Sequence, residues 1–242
     1  MAENGLYSSE PITNRKIILD IDECLVHAFK TDKTEKKKEA AEELLKLNKI
    51  GLRKRFFELD LGENDQYWVV TRPHLDKFLN FLPRYFDTII VWSAARNDYV
   101  EEVVKQIFKD HVKPNYILTY DDVKEEKNKD YHKPLSVVNK KFPGLLNYAE
   151  TLFIDDKADN FREFPDNGIV IPKFRPEAKD PYTEQDDMFL RLIDWLMQKS
   201  VIESTDIRKV NKSKIFSKAY SGNHRELMQY IRRSVFAPSV RL

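Results

Sequence analysis

The chain has 242 residues, enough for one domain with an extension or for two small domains. With 41 Lys+Arg against 40 Asp+Glu and 41% hydrophobic residues, it is neither a disordered chain nor a uniformly basic one, so bulk charge names no partner. Six glycines, no two within ten residues, exclude a Walker A loop and a GxGxxG fingerprint, while the single cysteine, Cys24, and five scattered histidines exclude an intrachain disulfide, CxxC and HExxH.

The N-terminal stretch MAENGLYSSEPITNRK has no apolar core, and the longest uncharged apolar-rich run, residues 88–95, is far short of the ~20 residues that cross a bilayer. A soluble chain in a reducing, intracellular compartment is expected, with no membrane partner. Lys16-Ile-Ile-Leu19 then reads as a buried parallel strand, followed at once by Asp20-Ile-Asp22-Glu23. Residues 33–49 carry Ala40, Ala41, Leu44, Leu45 and Leu47 on a charged background, the pattern of an amphipathic surface helix. Phe56-Phe57-Glu58-Leu59 and Tyr67-Trp68-Val69-Val70 read as a hairpin around Gly62-Glu-Asn-Asp65. Arg72-Pro73 introduces a helix over residues 75–82, with Pro at an early helical position.

Thr88-Ile-Ile-Val-Trp92 is the second buried strand and ends in Ser93; helical periodicity follows over residues 99–108. Residues 116–133 are polar and charged, without helical period, and predict a loop or irregular hairpin. Leu135–Lys141 is helical, and Thr151-Leu-Phe-Ile154 is a third buried strand that ends in Asp155-Asp156. A helix over residues 183–199, capped by Thr183, has Met188, Phe189, Leu192, Ile193, Trp195 and Leu196 on its apolar face. Residues 201–242 hold nine Lys/Arg against three Asp/Glu, net +6, leaving 32 against 37, net −5, in residues 1–200. Such a tail can bind a polyanion or dock on the acidic body, and the recurrence of Val210, Ile215, Phe216, Leu227, Met228, Ile231 and Phe236 favours docking.

Alternating strands and helices predict an α/β fold built on a parallel sheet. In such a sheet the loops beyond the carboxyl ends of the strands converge, and here they bring Asp20, Asp22, Ser93, Asp155 and Asp156. One Asp or Ser after a strand is ordinarily a turn or cap residue; three such strand ends together are a site. Carboxylates crowded at one edge repel each other unless a cation is present, and an all-oxygen ligand set favours Mg²⁺.

The motif Asp20-Ile-Asp22-Glu23-Cys24-Leu25 after an apolar strand resembles the DxDx[TV]L signature of haloacid dehalogenase phosphatases. Its longer form, Leu19-Asp-Ile-Asp-Glu-Cys-Leu-Val-His27, resembles the LDLDETLVH of phosphatases of the RNA polymerase II C-terminal domain. The resemblance continues through Arg72-Pro-His-Leu-Asp-Lys-Phe-Leu79, Ile90-Val-Trp-Ser-Ala94, His132-Lys-Pro-Leu135 and Phe153-Ile-Asp-Asp156 to Asn160-Phe161 and Asp166-Asn-Gly-Ile-Val170. The VWSA, KPL and IDD wording is similar to the branch that also carries a ubiquitin-like domain. The fold implied is HAD-like, a Rossmann-like parallel sheet flanked by helices with small insertions and no large cap. It implies an N-terminal tail (1–14), a phosphatase domain (15–200) and a basic, helical C-terminal extension (201–242).

The resemblance also implies roles. Asp20 is the nucleophile that becomes an aspartyl phosphate, and Asp22 protonates the leaving oxygen, activates water and gives its backbone carbonyl to Mg²⁺. Ser93 and Lys133 bind the phosphoryl group and neutralise its charge. Asp156 is a direct metal ligand with Asp155 behind it. His27 and His74 match family positions as structural residues, and Trp68, Trp92 and Trp195 fit a core better than a nucleic-acid platform. Two departures stand out: Cys24 replaces the usual Thr, a change activity is expected to survive, and Leu118-Thr-Tyr-Asp-Asp-Val123 is acidic where small phosphatases carry an Arg-containing segment. The activity implied is Mg²⁺-dependent hydrolysis of phosphoserine or phosphothreonine, with the polymerase repeats as partner and the nucleus as location. Two other readings stay open: a phosphatase of polynucleotide ends, which the basic tail would serve, and a non-catalytic binding module on the same fold, like the mitochondrial import member of the wider family.

Overall fold

A computed structural model describes residues 10–30, 52–62, 65–123, 133–176 and 185–217. In chain order these form β1 (Lys16–Leu19), β2 (Val26–Lys30), β3 (Phe56–Asp60), β4 (Gln66–Thr71), α1 (Leu75–Tyr85), β5 (Thr88–Trp92) and α2 (Asn97–Ile107). There follow β6 (Tyr116–Leu118), α3 (Tyr120–Val123), α4 (Leu135–Lys141), β7 (Thr151–Asp155), β8 (Gly168–Val170), α5 (Met188–Leu196) and α6 (Lys199–Ile202). The helix expected over 33–49, the tip of the hairpin turn, the Thr183 cap and the tail beyond residue 217 lie outside the described residues.

The three uninterrupted apolar runs form the centre of a five-stranded parallel sheet of order β6-β5-β1-β7-β8. Ile17, Ile18 and Leu19 are each 0% exposed because both faces are covered, which is why these strands read as continuous apolar segments without alternation. Ile17, Leu19, Val91 and Ile154 pack with the apolar faces of α1, α2 and α5. Ile18, Ile90, Trp92 and Phe153 pack on the opposite face against Leu135 and Val138 of α4 and Phe161. From β1 the chain runs outward through β5 to β6 and then returns to β7 on the other side of β1. The carboxyl end of β1 is therefore the point at which the winding reverses, the place where open α/β sheets hold ligands.

A second sheet, β2-β4-β3, is antiparallel, and the expected hairpin is its β3/β4 pair. Gly62, at φ +117°, sits in the turn between those strands, a backbone conformation that L side chains rarely adopt. β2 joins the other side of β4, with Val26 opposite Thr71, and so carries the chain directly from the Asp22 loop into this sheet.

Several boundaries differ from the sequence reading. α1 begins at Leu75 with His74 in the left-handed region (φ 64°), so Pro73 lies in the preceding turn. The stretch expected as a loop supplies the edge strand β6 and the short helix α3. There Asp122 Oδ2 accepts from the Thr119 N–H at 2.8 Å, so an acidic residue serves as a reciprocal cap. The last long helix begins at Met188, whose N–H is met by Asp186 Oδ1 at 3.1 Å, and it stops before a separate short helix at Lys199. Among the described residues after 200, Val201, Ile207 and Ile215 join the main core, and Trp195 Nε1 donates to the Asn211 carbonyl at 3.1 Å. That stretch contains only α6 and a 3-10 turn over Ile207–Lys209, less helix than expected. No helix among the described residues is long and apolar enough to cross a membrane.

Candidate active site

β1 ends at Leu19, and the Asp20 N–H continues the strand pairing by donating to the Ile154 carbonyl at 3.0 Å. The chain then turns tightly: the Ile21 carbonyl accepts from Leu25 and Val26 at 2.8 and 3.1 Å, and Glu23 adopts φ 59°. This turn sets Asp20 and Asp22 on the same end of the sheet. Ser93 follows β5, Asp155 ends β7, and Lys133 enters just before α4. All six residues singled out from the sequence converge there.

They divide into two groups. On the buried side, Lys133 Nζ lies 2.8 Å from Asp155 Oδ2 and makes a short contact with Asp20 Oδ1. Asp155 is saturated, since Oδ2 also accepts from Asn160 Nδ2 at 2.7 Å and Oδ1 from the Lys157 N–H at 2.9 Å. Burial pushes the Asp20 carboxyl up to about 8, the nearby Lys133 ammonium opposing this and the Asp155 and Asp22 charges adding to it. Burial alone would lower Lys133, but the carboxylates of Asp20 and Asp155 outweigh it and hold the ammonium charged. On the open side, Asp22 Oδ1 accepts from the Tyr99 hydroxyl at 2.6 Å, and Ser93 Oγ donates to Asp22 Oδ2 at 3.3 Å. Desolvation raises the Asp22 carboxyl above the usual range, while the Tyr99 hydrogen bond acts in the opposite direction.

Four carboxylates face one buried ammonium, an imbalance a cation would correct. Asp20, Asp155 and Asp156 each offer one oxygen, all within 4.8 Å of one another. Asp156 Oδ2 is buried without a well-aligned hydrogen-bond donor; the Lys173 ammonium forms an ion pair with it at 3.3 Å and also reaches Glu23 Oε2 at 3.4 Å. An oxygen-only set with an orphaned carboxylate oxygen fits a hard divalent cation such as Mg²⁺. Asp155, fully engaged by nitrogen donors, fits the position behind the ligands better than a ligand itself.

A cleft of about 590 Å³ opens on the Asp22 side, lined by Asp22, Lys30, Tyr67, Arg96, Tyr99 and Tyr120 among others. Its two cations share one carboxylate: Lys30 Nζ lies 2.9 Å from Asp65 Oδ1, and Arg96 pairs with Asp65 Oδ2 and, at 2.8 Å, with Asp98. Ion pairs thus link the small sheet to the loop after β5. His27 packs edge-on against Phe29 and His74 sits at the start of α1, both structural positions. Trp92 is stacked parallel to Phe153 in the core, Trp68 packs edge-on against Phe56, and Trp195 belongs to the main core. The sequence reading missed Tyr99, taken only as a helix residue, as well as the Asn160 bond to Asp155 and the Lys173 link to Asp156. Tyr99 had one signal: it lies six residues beyond Ser93, one turn into the next helix.

The family model described as NLI interacting factor-like phosphatase matches residues 15–208. A CTD phosphatase-like protein, 355R, of Invertebrate iridescent virus 3 is 25% identical over 176 residues, covering 68% of this chain and 88% of the viral protein. The mitochondrial import inner membrane translocase subunit tim50 of Neurospora crassa is 26% identical over 150 residues, 62% of this chain, and the match spans only 25% of that subunit. Among solved structures, Fcp1, an essential RNA polymerase II CTD phosphatase, superposes with a TM-score of 0.51 at 18% identity, covering 91% of this chain and 61% of that one. The fission yeast Fcp1 structure bound to beryllium fluoride gives a TM-score of 0.50.

Proposed function

The chain belongs to the NLI interacting factor-like phosphatase family, and from that premise we propose that it hydrolyses phosphoserine or phosphothreonine in a protein substrate through an aspartyl phosphate on Asp20. The observation that carries the reading is the placement of Asp20 beside the buried Lys133 ammonium, with Asp22 facing the cleft. Asp20 attacks phosphorus while the P–O bond to the serine oxygen breaks and Asp22 delivers a proton to that oxygen. In the second half, Asp22 takes a proton from the water that attacks the aspartyl phosphate, releasing inorganic phosphate and restoring both carboxyl groups. A raised Asp22 carboxyl suits the first half, because a larger fraction holds the proton at neutral pH.

Lys133 offsets the repulsion between Asp20 and the anionic ester, and Ser93, whose bond to Asp22 is long at 3.3 Å, is placed to turn its hydroxyl to a phosphoryl oxygen. Mg²⁺ would be held by Asp20, Asp156 and the Asp22 backbone carbonyl, with Asp155 behind them. When bound it supplies neutralisation of the phosphoryl charge. The open cleft suits an extended phosphopeptide, and the likeness to Fcp1 and the viral protein supports the polymerase C-terminal repeats as substrate, with a nuclear location following from that substrate.

The likeness to mitochondrial import subunits supports a second reading, a binding module on the same fold. The experiment is phosphate release from phosphoserine heptad peptides and from a 3′-phosphorylated oligonucleotide, with and without Mg²⁺. Release from the peptides that requires Mg²⁺ and is abolished by Asp20→Asn is the expected result. Release from the oligonucleotide alone would move the assignment to polynucleotide ends, and a folded protein that binds Mg²⁺ but releases nothing would favour the binding module.

A further inference from the structure

Asp22 is held by two hydroxyl groups of unequal grip. The Tyr99 hydroxyl is 2.6 Å from Oδ1, whereas Ser93 Oγ stands 3.3 Å from Oδ2 and also accepts from the Ala95 N–H at 3.1 Å. Tyr99 itself has little freedom. It lies in the first turn of α2, is 5% exposed, and its ring packs on Tyr67 with centroids 5.1 Å apart. Facing a carboxylate oxygen at that distance, the phenol O–H is the donor of the pair.

We propose that Tyr99 is a positioning residue for the proton transfer, holding Asp22 Oδ1 so that Oδ2 alone carries the proton to the leaving oxygen. This rests on the proposed phosphatase reading and adds an assignment of the two Asp22 oxygens. When Ser93 turns to a phosphoryl oxygen, Oδ2 gives up that hydrogen bond while Oδ1 keeps Tyr99. The carboxyl group is then fixed at one oxygen and free at the other. In the first half-reaction the Oδ2 proton passes to the serine oxygen as the P–O bond breaks, and Asp22 is left as a carboxylate that still accepts from Tyr99. Without the phenol, the carboxyl group can rotate about its Cβ–Cγ bond and the proton is divided between two directions, only one of which faces the ester. Proton delivery from a positioned group contributes roughly 10²- to 10⁴-fold, and most of that depends on orientation.

The test uses Tyr99→Phe, which keeps the ring and its packing on Tyr67. With enzyme in excess over substrate, rapid quench isolates leaving-group release for a phosphoserine peptide and for p-nitrophenyl phosphate. The alkoxide of serine needs a proton as it leaves, whereas p-nitrophenolate does not. Loss of a positioning bond should slow the peptide reaction by about tenfold or more beyond any slowing of the aryl phosphate. A general disturbance of the site would slow both substrates equally, and that outcome, or an unchanged peptide rate, would overturn the proposal. A second measurement places Tyr99→Phe in an Asp22→Asn background. There it should add no further loss, because the two residues act as one unit, and additive losses would show that Tyr99 acts elsewhere. Failure of the wild-type protein to release either leaving group would instead count against the phosphatase reading itself.

Discussion

The two sheets of this protein face the same cleft but hold charge in opposite ways. At the edge of the parallel sheet, Asp20, Asp155 and Lys133 are buried together, with 6, 0 and 1% exposure, and the ammonium bridges the two carboxyl groups. At the rim of the antiparallel sheet, Lys30, Asp65 and Arg96 form a chain of ion pairs whose cations are 42 and 59% exposed in their side chains. Burial strengthens electrostatic coupling among the deep groups, while solvent screens the ion pairs of the rim and weakens them. On the proposed phosphatase reading the deep edge carries the chemistry, and Lys30 and Arg96, which line the cleft, are the charged groups an incoming substrate would meet.

The strongest way to break that comparison is Asp20→Asn. Phosphate release should fall by about three orders of magnitude or more, as for loss of a nucleophile, with little change in thermal stability because the amide oxygen can still accept from the Lys133 ammonium. Phosphate release together with a melting curve checks both halves. Next is Lys133→Met, which leaves Asp20 and Asp155 buried without their shared cation. Urea unfolding should show a loss of about 3–5 kcal/mol, the usual cost of orphaning a buried charge.

The pH dependence separates the regions by sign. Asp20 is raised from 3.8 to about 8, so in EDTA the folded state binds the extra proton and stability falls as pH rises from 3.8 towards 8. Added Mg²⁺ should flatten that slope in urea midpoints, and a flat profile in EDTA would contradict the site's charge imbalance. Asp65 moves the other way, held at about 2 by Lys30 and Arg96, so its contribution is present above 3.8 and disappears as pH falls towards 2. Asp65→Asn is the smallest expected effect: a melting temperature lowered by less than about 2 °C at neutral pH, shrinking further in high salt.

What could be read from the sequence follows the same division. Continuous apolar segments marked β1, β5 and β7 because two covered faces leave no room for polar residues, and the acids beyond them could then be placed by topology alone. β2, β6 and β8 carried no such mark. Val26–Lys30 is half-buried and mixed in character, and the other two strands have three residues each at the sheet edges. The short helix at Tyr120 was hidden because its acids cap the helix, a role that depends on where the backbone turns. Of the site, Asp20, Asp22, Ser93, Lys133, Asp155 and Asp156 were legible from strand ends and motif. Tyr99 and Lys173 were not, and Asn160 stood in the motif without a role, since the importance of all three lies in which oxygen they reach. That information is set by loop geometry.

Cys24 stands two residues beyond Asp22, is 0% exposed, and has a thiol pushed well above its ordinary range by burial and by the Asp20 charge. It is also the only sulfhydryl in the 242 residues. A thiol that is both buried and protonated does not react until the turn around it opens. Labelling by a disulfide reagent therefore times the opening of the turn that follows Asp20, with no background from other positions. The chain carries a built-in clock for the turn that bears Asp20 and Asp22, and anything that seats itself on Asp20 should slow it.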